Sequence, residues 1–157
     1  MQEPPRLPVR RRLLCALAVA VLAAVVIPAP HAQADAPPCR YDISADMVLD
    51  NDTGLTWQRA VDASSYTHSQ AMSYCAGLIL AGTGWRLPSI QELQTIVDDS
   101  RVSPAIDQVA FPSTPSPFFW SSSLYAGDSS HAWVVDFNDG HVGYDGLVNT
   151  RRVRCVR

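Results

Sequence analysis

Side chains able to hold a metal, attack a carbonyl or stack on a ring are scattered along this 157-residue chain, and few stand at a spacing that makes chemistry. Asp50-x-Asp52-x-Gly54 begins like a calcium loop, because a hard dication gathers clustered oxygen ligands. A third carboxylate and a distal bidentate Glu are missing, so the run reads as a turn. Neither a bound metal nor another cofactor is expected. His68, His131 and His141 have no paired metal-ligand spacing and read as surface or satisfied polar residues. Ser121-Ser122-Ser123 lack the Gly-x-Ser-x-Gly elbow that exposes a nucleophilic serine, and no residue is assigned as catalytic. Trp57, Trp85, Trp120 and Trp133 could stack on sugar rings, but aromatic residues at alternating strand positions are more often core.

The best specified element is the corner formed by residues 84–93. Trp85 and Leu87 alternate about Arg86, as at a strand end, and Pro88 disfavours helical geometry at Leu87. Ser89 can then accept from the Glu92 N–H while the Glu92 carboxylate accepts from the Ser89 N–H, a capping box that starts a helix. Thr67-His68-Ser69-Gln70 repeats the device, and Ala71, Met72, Cys75, Leu78 and Ile79 predict a first helix over 67–80. The second helix carries Ile90, Leu93, Ile96 and Val97 on one face. It leaves Asp98 and Asp99 at the negative end of its dipole, a cost of roughly 0.3–1 kcal/mol each when exposed. A cation, Arg86 or Arg101, is therefore expected to hold at least one of them.

Residues 41–50 fit two short strands, and 47–59 read as a hairpin. Residues 103–119, with Pro104, Pro112, Pro115 and Pro117, show no sustained period and are expected to form a long loop over the surface. Alternation returns over 118–123, 132–137, 141–144 and 150–157, with Asn138-Asp139-Gly140 as a hairpin turn, which predicts an antiparallel sheet.

Residues 1–34 read as an export signal: Arg6, Arg10, Arg11 and Arg12 precede an apolar run over 13–27, and Ala32-Gln33-Ala34 fits a cleavage site. The run is too short for a membrane span, so no stable membrane insertion is expected after cleavage. Arg10-Arg11-Arg12 faintly matches a twin-arginine signal, and Cys15 lies too near the charged region for a lipid anchor. The expected location is secreted or periplasmic, with 35–45 as a linker and 46–157 as one domain. From residue 35 onward, eight Arg and no Lys face 13 Asp and one Glu, a net charge of −6 that disfavours nucleic acid. Arg151, Arg152, Arg154 and Arg157 crowd the end, and pairing of the first three with nearby carboxylates is expected. Of the remaining cysteines, Cys75 and Cys155 sit in regular elements and are the expected disulfide. Cys39 follows Pro37-Pro38 and is expected to link a homo-oligomer or act as a tether.

Taken in order, Asp50-x-x-Thr53-Gly54-Leu55-x-Trp57, Tyr74-Cys75, Gly84-Trp85-Arg86-Leu87-Pro88, Glu92-Leu93, Phe111-Pro112, Phe119-Trp120-Ser121-Ser122, Ala132-Trp133-Val134 and Val153-Arg154-Cys155-Val156-Arg157 resemble the Lcl C-terminal domain family. The resemblance implies an α+β, C-type lectin-like domain: two helices on a small antiparallel sheet, with a disulfide from the first helix to the last strand. Cys75 and Cys155 occupy those positions. The namesake domain, on a collagen-like adhesin, implies sulfated-polysaccharide binding and trimers; this sequence is acidic and carries no collagen-like repeat.

Calcium-dependent lectin sites use Glu-Pro-Asn or Gln-Pro-Asp with Trp-Asn-Asp, and none of these occurs; Phe137-Asn138-Asp139 echoes the last but is explained by the turn. Formylglycine-generating oxidases share the architecture but need a reactive cysteine pair, and a structural Cys75–Cys155 bond leaves only Cys39. The reading is a non-catalytic binding module for an extracellular glycan, with a structural envelope protein as the alternative. Phe118, Trp120, Asp136, Asn138 and Asp139 are the expected ligand residues. Trp85, Arg86, Glu92 and Asp98 are assigned to structure.

Overall fold

The computed structural model describes residues 39–157. The export signal, its cleavage site, Cys15 and the twin-arginine-like run lie outside the described residues. Two three-stranded antiparallel sheets and two helices make up the fold. β1 (Tyr41–Ile43), β2 (Met47–Asp50) and β3 (Thr56–Gln58) form the first sheet in that order. α1 (His68–Gly77) and α2 (Ile90–Gln94) follow, and β4 (Phe118–Leu124), β5 (His131–Asp136) and β6 (Val142–Gly146) form the second sheet. The linker assigned to 35–45 thus contains a strand. Tyr41 pairs with Asp50, and Arg40 beside it donates to both carboxylate oxygens of the fully buried Asp50. Folded structure therefore starts ahead of residue 46, because Asp50 needs that cation once it is taken out of water.

Both capping boxes are formed, Thr67 with Gln70 and Ser89 with Glu92. The helices are shorter than their apolar spacing implies. α1 stops at Gly77 rather than at 80, where the Leu78 N–H closes the last turn on Cys75 and Leu78 itself is extended. α2 ends at Gln94, yet Ile96 beyond it is still 1 % exposed and in the core. Asp98 is consequently four residues past the helix, where the Arg101 Nε lies 2.9 Å from its carboxylate. Arg86 is engaged elsewhere, holding Glu92 through two bonds of 2.7 and 2.6 Å.

The proline-rich segment is not a surface loop. Residues 95–117 contain no helix or strand, but Ala105, Ile106, Ala110 and Phe111 are fully buried beside Val48, Trp57, Leu93, Phe119 and Phe137. Buried irregular backbone must find a partner for each N–H and C=O. Here the Ser103 and Ala105 N–H groups donate to Asn138 and Phe137 carbonyls, the Asp107 carboxylate accepts from Val109 and Ala110, and each proline removes one donor from the problem. Gly140 is tied to the same packing: its φ is +82°, and a Cβ there would stand 2.7 Å from Val97 Cγ1.

The expected last strand is instead a run of isolated bridges. Val156 pairs with Trp57 on one side and Arg86 on the other, Arg152 with Phe119, and Arg151 with Tyr66. The Cys75–Cys155 disulfide, 5.4 Å between Cα atoms, fixes this segment to α1. Of the four C-terminal arginines, Arg151 pairs with Asp145, whereas Arg152 donates to the Ala63 and Ser64 carbonyls and Arg157 to that of Ala81. Arg154 is fully buried, and no carboxylate pairs with it among the described residues. Its Nη1 donates to the Gln58 and Arg59 carbonyls at 2.6 and 2.7 Å, its Nη2 to Thr114 Oγ1 at 2.7 Å, and its plane lies over the Phe111 ring. Burial pushes its pKa down to about 9, which leaves it charged at neutral pH. Alternation along a strand assumes two solvated faces, and this segment has none.

The Arg86 bonds, outweighing burial and helped by the Ser89 N–H, bring the Glu92 carboxyl down to about 2. The unfolded value is about 4.3, so Glu92 favours the folded state above about pH 5 and loses that contribution as pH falls toward about 2. Glu92→Gln keeps the capping box and removes the charge. Arg86 is half exposed, so the loss at pH 7 should be about 1 kcal/mol, shrinking to nothing near pH 2, as read by urea unfolding across pH.

Candidate functional site

The second sheet is covered on both faces, which decides where its side chains can act. One face sends Phe119 and Val135 into the core with α2 and with Ile106, Ala110 and Phe111 of the 103–117 segment. On the other, Trp120, Ala132 and Val134 pack with Ala71 and Cys75 of α1 and with Val153 and Cys155. Trp120, expected at the ligand surface, is therefore fully buried, with its indole N–H donating to the Tyr66 carbonyl at 2.8 Å. Two covered faces make alternation uninformative about exposure.

Toward β6 this second face is uncovered. Phe118 stands opposite Asp136, Val134 opposite Gly143 and Ala132 opposite Asp145, so these side chains share one side. A cleft of about 410 Å³ opens there, lined by Phe118, Val134, His141, Gly143, Asp145 and Arg151. Gly143 is its floor: a Cβ there would meet Val134 Cγ2 at 3.8 Å and the His141 ring at 3.9 Å, ordinary contact distances. Phe118 forms an aromatic wall, with the Arg151 guanidinium 5.5 Å from its ring centre. Asp145 accepts from Asn149 Nδ2 at 2.6 Å and from the Gly146 N–H at 2.8 Å and pairs with Arg151. Burial alone would raise the Asp145 pKa, but those two bonds and the Arg151 charge outweigh it and hold the carboxylate ionised. The cleft thus offers an aromatic ring with a guanidinium over it, a fixed acceptor and a fixed donor, and its cation is already neutralised.

The remaining expected ligand residues build the neighbouring turn. Asp136 Oδ1 accepts from the Asn138 N–H at 2.8 Å, Asn138 Oδ1 from the Ser103 hydroxyl at 2.8 Å, and Asp139 Oδ1 from the His141 N–H at 3.0 Å. Among the described residues, no three His, Cys, Asp or Glu side chains gather as a metal-binding group. His68 is buried against Trp120, and its Nε2 lies 3.0 Å from the Ser121 carbonyl oxygen; burial lowers its pKa and the Ser121 bond opposes. His131 Nδ1 lies 3.0 Å from Asp128 Oδ2. Among the described residues His141 is the one histidine that lines the cleft. Sequence reasoning missed Gly143, Asp145 and Arg151 as a group. The one local signal was a glycine interrupting the alternating segment Val142 to Tyr144, which marks a place where something approaches a strand closely.

A second, shallower hollow of about 620 Å³ lies beside α1, lined by Ser65, Tyr66, Ser69, Gln70, Ser73 and Tyr74. Trp85, Arg86 and Glu92 line neither hollow.

The chain belongs to the family of the Lcl C-terminal domain, whose model matches residues 46–157. No curated protein matches the sequence.

Because Asp145 neutralises the cation in the cleft, Asp145→Asn should turn a balanced site into a cationic one. On a sulfate-bearing column at low salt the wild-type chain should pass through, and the variant should be retained until about 0.1–0.2 M salt screens the freed guanidinium. Equal elution of the two would mean that the ion pair does not set the charge of the site.

Proposed function

We propose, starting from that family membership, that the chain is an exported, non-catalytic binding module with a C-type lectin-like fold, and that its ligand is an extracellular glycan. The fold assignment is supported by two helices beside small antiparallel sheets and by the Cys75–Cys155 bond from α1 to the last segment. The observation that carries the ligand assignment is the β6 cleft, where the Phe118 ring stands beside the paired Asp145 and Arg151 over a glycine floor. A pyranose has an apolar C–H face and a rim of hydroxyls, and it is bound by a ring for the face and by fixed donors and acceptors for the rim. The polar pair supplies both without a net charge. Calcium has no part in this reading, since the carboxylates of Asp136 and Asp139 are engaged by backbone N–H groups of their own turn.

Gly143→Leu tests the cleft without removing a polar group, because the backbone there needs no glycine conformation and the added side chain fills the space above the floor. On a glycan array with calcium or with chelator, the wild-type chain should bind a set of neutral glycans equally in both. The variant, folded to the same thermal midpoint within a few degrees, should lose about tenfold or more in affinity. Binding to no glycan in either condition would overturn the ligand class, and chelator-sensitive binding would overturn the calcium-free mechanism.

A further inference from the structure

We infer that the β6 cleft and the hollow beside α1 are consecutive stretches of one binding track, and that the ligand is an uncharged oligosaccharide long enough to occupy both. This rests on the glycan reading of the cleft. The join between the two is the bridge of Tyr66 with Arg151, whose backbones exchange N–H···O bonds at 2.9 Å in each direction. Residues opposed in an antiparallel bridge point to the same side, about 4.5–5.5 Å apart at Cα. Arg151 lines the cleft and Tyr66 lines the α1 hollow, so one residue pair separates the two spaces.

The α1 hollow repeats the sugar-like chemistry of the cleft with no charged side chain in its lining, and the carboxylate beside it, Asp62, bonds to the Tyr66 side chain. Its six lining side chains are three serine hydroxyls, one amide and two phenols, with no carboxylate, amine or guanidinium among them. Tyr66 and Tyr74 stack with ring centres 4.9 Å apart, and Gln58 Nε2 donates to the Tyr74 hydroxyl at 3.1 Å, which fixes that ring. Ser69 and Ser73 are one turn apart on the exposed side of α1, with the Ser73 hydroxyl donating to the Ser69 carbonyl and keeping its oxygen open to a donor. A sulfated or uronic-acid polymer would find one neutralised arginine in the track, on a chain whose net charge from residue 35 onward is −6. A neutral polymer meets no such barrier and gains contact along the track with each added sugar.

The test is calorimetric titration of the exported chain with N-acetylglucosamine oligomers and glucose oligomers of one to six units, and with a heparin hexasaccharide. Ser73→Trp blocks the α1 hollow from an exposed helical position, and Gly143→Leu blocks the cleft. In one neutral series, affinity should rise about 10²-fold from the single sugar to the longest oligomer, as expected when a second contact becomes intramolecular. Ser73→Trp should remove at least about tenfold of that gain and leave short-sugar binding unchanged. A long oligomer that binds no better than a short one, or is indifferent to Ser73→Trp, would overturn the track and leave the cleft as the site. Tighter binding of the heparin fragment would overturn the uncharged class. Failure of every sugar to bind would overturn the glycan reading beneath both.

Discussion

A single guanidinium holds the core together. Arg154 brings a full charge into a fully buried position, and its Nη donors are satisfied by the carbonyls of Gln58 and Arg59 at the end of β3 and by a threonine hydroxyl in the 103–117 segment. Thr114 in turn donates to the Phe111 carbonyl, and the Phe111 ring lies under the guanidinium plane. Two stretches of chain far apart in sequence, the end of β3 and the 103–117 segment, are thereby fixed to the C-terminal segment. Carbonyl partners suit the role, because irregular backbone buried without strand neighbours leaves acceptors that only an added donor can satisfy. Arg152 and Arg157 do the same at the edges, and Arg40 adds a bond to the Thr95 carbonyl.

That arrangement determines where binding chemistry can occur. Once the arginines are committed to carbonyls, Arg151 is the one among the C-terminal four that reaches a carboxylate, and it does so where the second sheet runs out from under α1. The C-terminal segment therefore both closes the core and carries one wall of the cleft. Its bridge to Tyr66 and the disulfide from Cys155 to Cys75 connect that wall to α1, so the cleft rests on covalently and hydrogen-bonded scaffold.

Local features were legible in the sequence and long-range ones were not. The two capping boxes, the corner through Pro88 and the Asn138-Asp139-Gly140 turn are encoded within a few residues, and each stands where its spacing placed it. Asp98 does pair with Arg101, but the helix dipole expected to demand that pairing is absent there, because α2 ends at Gln94. The 103–117 segment was not legible, because its prolines look like a surface loop while its burial depends on carbonyls at 137 and 138 and on Arg154. Trp120 and Phe118 alternate toward the same side of β4, yet one is sealed by α1 and the other lies past its end; no periodicity distinguishes them. The cleft needed residues 118, 143, 145 and 151 to meet, and that follows from sheet register for the first three and from the isolated bridge to Tyr66 for Arg151.

The central claim is that ligand contacts gather at the β6 floor and its ion pair rather than at the turn beside them. The most direct measurement is amide chemical-shift mapping of the isotope-labelled chain titrated with a neutral oligosaccharide. The account expects the largest shifts at Gly143, Asp145, Arg151 and Tyr66, with residues 136–139 nearly still. Shifts centred on Asp136, Asn138 and Asp139, with Gly143 and Arg151 unmoved, would contradict it.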